Sequence, residues 1–271
     1  LKKVVIPPSV TSIKEHAFDR CCGIAEITIP TSVKYIGYLA FEYNVISRIS
    51  IPSSVTAIKK YAVPKFSLKE YSIPESETSI KEAEFADLKT LESITIPSSV
   101  TSIGKDAFNN CTGLKQITIP PLVTSIEDRT FSHCTGLTQV TIPPSVTSIS
   151  SGAFYYCEAL QQIIIPSSVT SIGNEAFYYC SSLQQIAIPP SVTSINNGVF
   201  NSCSSLQQIT IPQSVTSIGD GAFSWCGKLK QLVIPPSVTK IGAGSFSFCT
   251  ELQKINIPSS VTSIPLKAFE N

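Results

Sequence analysis

The chain has 271 residues; 14% of them are charged, and the formal net charge is +1. That balance provides neither a basic footprint for nucleic acid nor an acidic tail. Hydrophobic residues make up 42%, which supports a core and argues against a disordered chain, and no run of about 18 apolar residues exists to span a membrane.

The chain starts at Leu1, without Met, and ends at Asn271, both inside a repeat. It is therefore expected to be a piece of a longer protein, and no signal peptide is visible in it. An Ile-Pro pair recurs twelve times, from Ile6 to Ile257, and nine of the eleven intervals are 23 residues, the other two 22. So regular a period predicts a solenoid, in which each coil packs on its neighbours. Ile stands seven residues after each anchor, from Ile13 to Ile264. Val stands four after it in eleven of twelve copies, Phe twelve after it in eleven of twelve, and Leu or Ile five before it in every copy. Stacked coils place each apolar residue on its own copies and so build one continuous core.

Within a coil, the alternation of Ile117 and Ile119 with Thr118 predicts a short strand, which ends at Pro because Pro has no N–H for a ladder. The stretch Val-Thr-Ser-Ile predicts a second extended piece or turn. Phe and Cys three apart in Ala-Phe-x-x-Cys predict one turn of α- or 3₁₀-helix.

Along the chain, the first coils carry Cys21, in phase with the later cysteines, and Cys22, which is out of phase and a candidate exposed thiol. Residues about 44–94 are the irregular coils. Asn44, Phe66 and Leu88 take the cysteine column, Val63 replaces Phe and is followed by Pro64, and Glu77 replaces the core Val. A lone buried carboxylate is costly, so Glu77 is expected to face outward. Lys59, Lys60, Lys65, Lys69, Glu70, Lys81, Glu82 and Glu84 make this the most charged stretch. It reads either as drifted coils or as a recognition insert or hinge.

From Cys111 onward the repeat is regular. Cys111, Cys134, Cys157, Cys180, Cys203, Cys226 and Cys249 lie 23 apart. One residue per coil forms a column, whereas a metal site needs ligands converging on one point, so no metal or cofactor is expected. Parallel side chains about 4.8 Å apart hold their Cβ atoms wider than the mean disulfide separation of about 3.8 Å. The thiols are therefore expected to be free, as small buried hydrophobes. Only two His exist, His16 and His133, in different coils. No nucleophile–base pair, paired carboxylates or phosphate loop is recognisable, so the chain is not expected to be an enzyme.

Two surfaces are candidate binding sites. On the strands, Gln161, Gln162, Gln184, Gln185, Gln207, Gln208 and Gln231 form neutral amide columns, which read either as a recognition face or as solvated filler. Beside the Cys column, Tyr155, Tyr156, Tyr178, Tyr179 and Trp225 form an aromatic row with Phe248, with His133 in register. This row reads either as a set of binding hot spots or as packing that seals the coil edge.

The pattern L-x-x-I-x-I-P-x-x-V-x-x-I-x-x-x-A-F-x-x-C-x-x resembles the BspA-like leucine-rich repeat family over essentially the whole chain. The resemblance implies a leucine-rich repeat solenoid, a curved coil of α/β type with a parallel β-sheet on the concave face and short helical turns and extended segments elsewhere. The chain is expected to be a single domain, 1–271, of eleven full coils and a partial twelfth. The resemblance further implies a cell-surface or secreted adhesin-type module that binds a host or extracellular matrix protein on the concave face. A glycan-binding module centred on the aromatic row, and a structural spacer that self-associates end to end, are the alternatives.

Overall fold

A computed structural model describes residues 3–52, 54–55, 57–58, 62–63 and 67–270. Leu1, Lys59, Lys60, Pro64, Lys65, Phe66 and Asn271, named above, lie outside the described residues. The chain winds into a solenoid with two strands per coil; every pairing is parallel and joins the same segment of neighbouring coils, and the ladders are broken into short sheets, as between Gln139–Thr141 and Gln162–Ile163. The front strands run from Glu26–Thr28 to Lys254–Asn256, and the shorter side strands, which are the Ser-Ile positions in most coils, run from Ser12–Ile13 to Lys240–Ile241. The register follows the repeat: Gln116 pairs with Gln139, Ile117 with Val140 and Thr118 with Thr141. Across a 22-residue interval the same pairing holds, with Glu26 on Arg48 and Ile27 on Ile49.

In-register stacking puts like on like, so the core is a set of columns. On each regular front strand the central residue is buried and its neighbours are exposed, because successive strand side chains point to opposite faces. The Phe column forms a stack: from Phe85 to Phe269 neighbouring rings lie 5.3–5.8 Å apart and nearly parallel. Between Phe41 and Phe85 the column holds Val63. In the following coil Tyr71 replaces the strand Ile, and its ring lies 5.7 Å from Phe85 at a tilt of 48°. A larger residue on one side of the core accompanies a smaller one on the other. Glu77 is exposed, as expected.

In the regular coils the expected turn of α- or 3₁₀-helix is not present: the described residues contain no α-helix, and among them only Ser67 is in 3₁₀ conformation. The Ala-Phe-x-x-Cys segment is instead a run of overlapping turns. Two residues per coil take positive φ, one two positions before Phe and one directly before the cysteine column, as at Glu175 (φ 56) and Tyr179 (φ 57). Positive φ at the third position is the mark of a type II turn, and it takes the chain off the right-handed helical path. The amides then alternate. Cys180 N–H closes a turn on Phe177 O within its coil, while Phe177 and Tyr179 N–H reach the carbonyls of Val199 and Asn201 in the next coil. A helix would spend every amide inside the coil, whereas here half of them hold the solenoid together.

Side chains add three further ladders. Ser145, Ser168, Ser214 and Ser237 hydroxyls donate to the Val carbonyl one coil earlier, at 2.6–2.7 Å. Thr147, Thr170 and Thr216 hydroxyls donate to the preceding Thr carbonyl. Each buried cysteine from Cys111 to Cys249 donates its thiol to the Phe carbonyl 26 residues back, at 3.0–3.3 Å.

Candidate functional site

All seven candidate glutamines are exposed on the front face. Gln162, Gln185 and Gln208 pair in register, and the backbone N–H groups of Gln184 and Gln207 donate to the carbonyls of Gln161 and Gln184. Gln231 begins the next front strand. Interleaved with them, Ile164 is 82% exposed and Val233 69% exposed. Ile164 and Ala187 sit with Gln162, Gln185 and Gln208 in a shallow depression of about 300 Å³. The result is a neutral amide surface with apolar side chains standing in it.

The front face is not uniform. Toward the chain start it is charged: Arg48 reaches Glu70 at 3.0 Å and Glu26 at 3.8 Å, and Lys69 reaches Glu92 at 2.9 Å. The Lys69 ammonium, by hydrogen bond and charge, holds the Glu92 carboxyl below the usual range. These are exposed pairs, screened by solvent and of little weight in stability. Lys69 and Glu70 belong to the most charged stretch of the sequence, and each charge here lies beside one of opposite sign.

The aromatic row divides in two. His133, Tyr155, Tyr156, Tyr178 and Tyr179 form one cluster, with Tyr156 and Tyr179 parallel at 4.5 Å and His133 stacked on Tyr156 at 5.1 Å. Trp225 stands apart from it, stacked on Phe248 at 4.2 Å. Ser202 occupies the rung between them. Partial burial, then the neighbouring tyrosines, raise the Tyr155 and Tyr156 hydroxyls above the usual phenol range. Most ring faces within the cluster cover one another, which leaves mainly ring edges to solvent.

The described cysteines are all free; the seven from Cys111 to Cys249 are buried and Cys22 is exposed. Burial pushes the Cys111 and Cys203 thiols up to about 12, Cys249 to about 11, and Cys134, Cys157, Cys180 and Cys226 well above the ordinary range. They are protonated donors rather than nucleophiles. Asn44 shows what the column requires: its amide N–H donates to Phe18 O at 2.6 Å, the same carbonyl position each thiol reaches. The sequence placed Asn44 in this column, but only the geometry identifies donation as the property it shares with Cys. Among the described residues no group of three or more His, Cys, Asp or Glu is arranged to hold a metal ion, and no helix is long and apolar enough to cross a membrane.

The chain matches the family model of the BspA type leucine rich repeat region over residues 1–115, 58–183 and 147–271. Among solved structures it is similar to a leucine-rich repeat protein of Bacteroides ovatus, at 30% identity and a TM-score of 0.69, covering 94% of this chain and 72% of that one. A leucine rich cell surface protein of Faecalibacterium prausnitzii is 32% identical, with a TM-score of 0.52 and coverage of 96% and 82%. The leucine rich repeat protein of T. pallidum is 32% identical, with a TM-score of 0.55 and coverage of 57% and 72%. No protein with a curated description matches the chain.

Proposed function

We propose a function from one premise: the chain belongs to the BspA-type leucine-rich repeat family. Solenoids of this family are in general non-catalytic binding scaffolds. On that basis the chain is a protein-recognition module whose contact surface is the front strand face, the concave one by resemblance, centred on Gln161, Gln162, Gln184, Gln185, Gln207, Gln208 and Gln231. The observation that carries this reading is the exposed amide ladder with Ile164 and Val233 standing in it. The strands that hold it are fixed by backbone bonds and a packed core, so a partner meets a preorganised surface and little ordering entropy is lost on binding. The resemblance extends the proposal to a host-surface or extracellular matrix protein as partner, and to a cell-surface or extracellular setting. The F. prausnitzii neighbour, described as a cell surface protein, supports that setting.

The test is affinity capture from cell-surface and matrix extract, with the native chain beside a variant carrying Gln161→Glu, Gln184→Glu and Gln207→Glu. Three carboxylates on one face repel one another and change the field a partner meets. A partner held by the native chain and lost by the variant supports the reading; equal capture by both removes the front face from it.

A further inference from the structure

The residue directly before the cysteine column takes the same conformation in every regular coil: φ is 58° at His133 and Tyr156, 57° at Tyr179, 60° at Ser202, 61° at Trp225 and 57° at Phe248. Its N–H bonds the next coil in the same way each time, as Tyr156 does to Tyr178 O, Tyr179 to Asn201 O, Ser202 to Ser224 O and Trp225 to Ser247 O. These side chains therefore leave the solenoid in one direction, one above another. Where they are aromatic they stack, at 5.1, 4.5 and 4.2 Å and at 9–19° from parallel. Ser202 is the one rung between His133 and Phe248 without a ring.

We infer that the gap over Ser202, between Tyr179 and Trp225, is a binding slot for one aromatic side chain of a protein partner. Coils about 4.8 Å apart put the two flanking rings about 10 Å from each other. A flat ring at the Ser202 rung then lies about 5 Å from each, inside the spacing of stacked aromatic pairs and matching the spacing the column itself uses. Exposure agrees with this. Tyr179 (38%) and Trp225 (54%) are exposed, whereas Tyr156, with rings on both sides, and Phe248 are half-buried. Each of the two rings bordering the gap has one face covered by its own neighbour and the other turned toward the Ser202 rung. The floor is neutral: the Ser202 hydroxyl donates to Asn201 Oδ1 at 2.8 Å. That floor offers no ion pair for a free amino acid and suits an uncharged ring carried on a polypeptide. The slot lies on the turn side of the coil and stands or falls independently of the front-face reading.

Trp225 is the single Trp of the chain, so its emission reports on this slot alone. The intact chain is titrated with the capped peptide acetyl-Gly-Phe-Gly-amide, the matching Leu peptide, and methyl β-glucopyranoside, with excitation at a wavelength only Trp absorbs. The expected result is a saturable blue shift with the Phe peptide, about 2- to 13-fold weaker in Tyr179→Ala, which removes one stacking face. Ser202→Phe completes the ladder with the chain's own ring; it is expected to show the blue-shifted emission without peptide and no further shift with it. No saturable response to the Phe peptide, an equal response to the Leu peptide, or a response to the sugar alone overturns the proposal. So does an unchanged Phe-peptide affinity in Tyr179→Ala, whose folding is checked by its circular dichroism.

Discussion

Replacing Cys203 by Ala tests the reason each coil closes on a cysteine. Cys203 is fully buried and its thiol donates to Phe177 O at 3.2 Å. The same carbonyl also accepts the N–H of Cys180, at 3.3 Å, so the change removes one of its two partners without orphaning it. Loss of the sulfur removes about 1 kcal/mol of transfer free energy and leaves a cavity of roughly 20 Å³ that costs about 0.5 kcal/mol more. The thiol is a weak donor, so its hydrogen bond contributes at the lower end of the usual range, about 0.5 kcal/mol. The expected destabilisation is about 2 kcal/mol, measured by urea unfolding with the slope held against the native chain. Cys203→Ser keeps a donor aimed at Phe177 O and is expected to lose about 0.5–1 kcal/mol less than Ala. If Ser costs as much as Ala or more, the column is simple packing and the donor argument fails.

Alkaline pH is expected to weaken the fold. Unfolded thiols ionise near pH 8.5, whereas Cys111 and Cys203 are held at about 12 and Cys249 at about 11. Below the unfolded value both states are protonated and the full stability is present. Between about pH 8.5 and the folded values the unfolded chain releases protons the folded chain keeps, so stability falls by up to about 1.4 kcal/mol per pH unit per thiol. Urea midpoints measured from pH 7 to 10 check this, and Cys203→Ser should reduce the slope by one thiol's share. Gly173→Ala is expected to cost more than about 1 kcal/mol, because a Cβ there would stand 2.5 Å from the Ser151 backbone nitrogen of the preceding coil; its thermal midpoint checks this. Arg48→Ala removes two exposed ion pairs and should shift stability by less than about 1 kcal/mol, with the difference shrinking in high salt.

The core was legible because a period of 23 forces each residue type to stack on itself. The Ile, Val, Leu and Phe columns of the sequence are the buried columns of the structure, and the second extended piece is the side strand. The turn was misread for a physical reason. Phe and Cys three apart fit a helix, but the spacing does not show that alternate amides are taken by the neighbouring coil, and nothing in residues such as Arg129 or Trp225 announces a positive φ. The cysteine column was read correctly as free and buried, yet its hydrogen bond was missed; Asn44 at the same register was the available signal. The aromatic row was visible as composition, while its interruption at Ser202 became meaningful only once the rings were seen to stack. The glutamine face was legible as an outward surface, and Ile164 and Val233 stand on it because strand side chains alternate between faces.

The proposed function places recognition on the front strand face. Its most direct test is amide hydrogen exchange of the chain alone and bound to the partner it captures. Added protection is expected over the front strands from Gln139–Thr141 to Gln231–Val233, with the side strands unchanged. Protection confined to the side strands, or to the turns before the cysteine column, would contradict it.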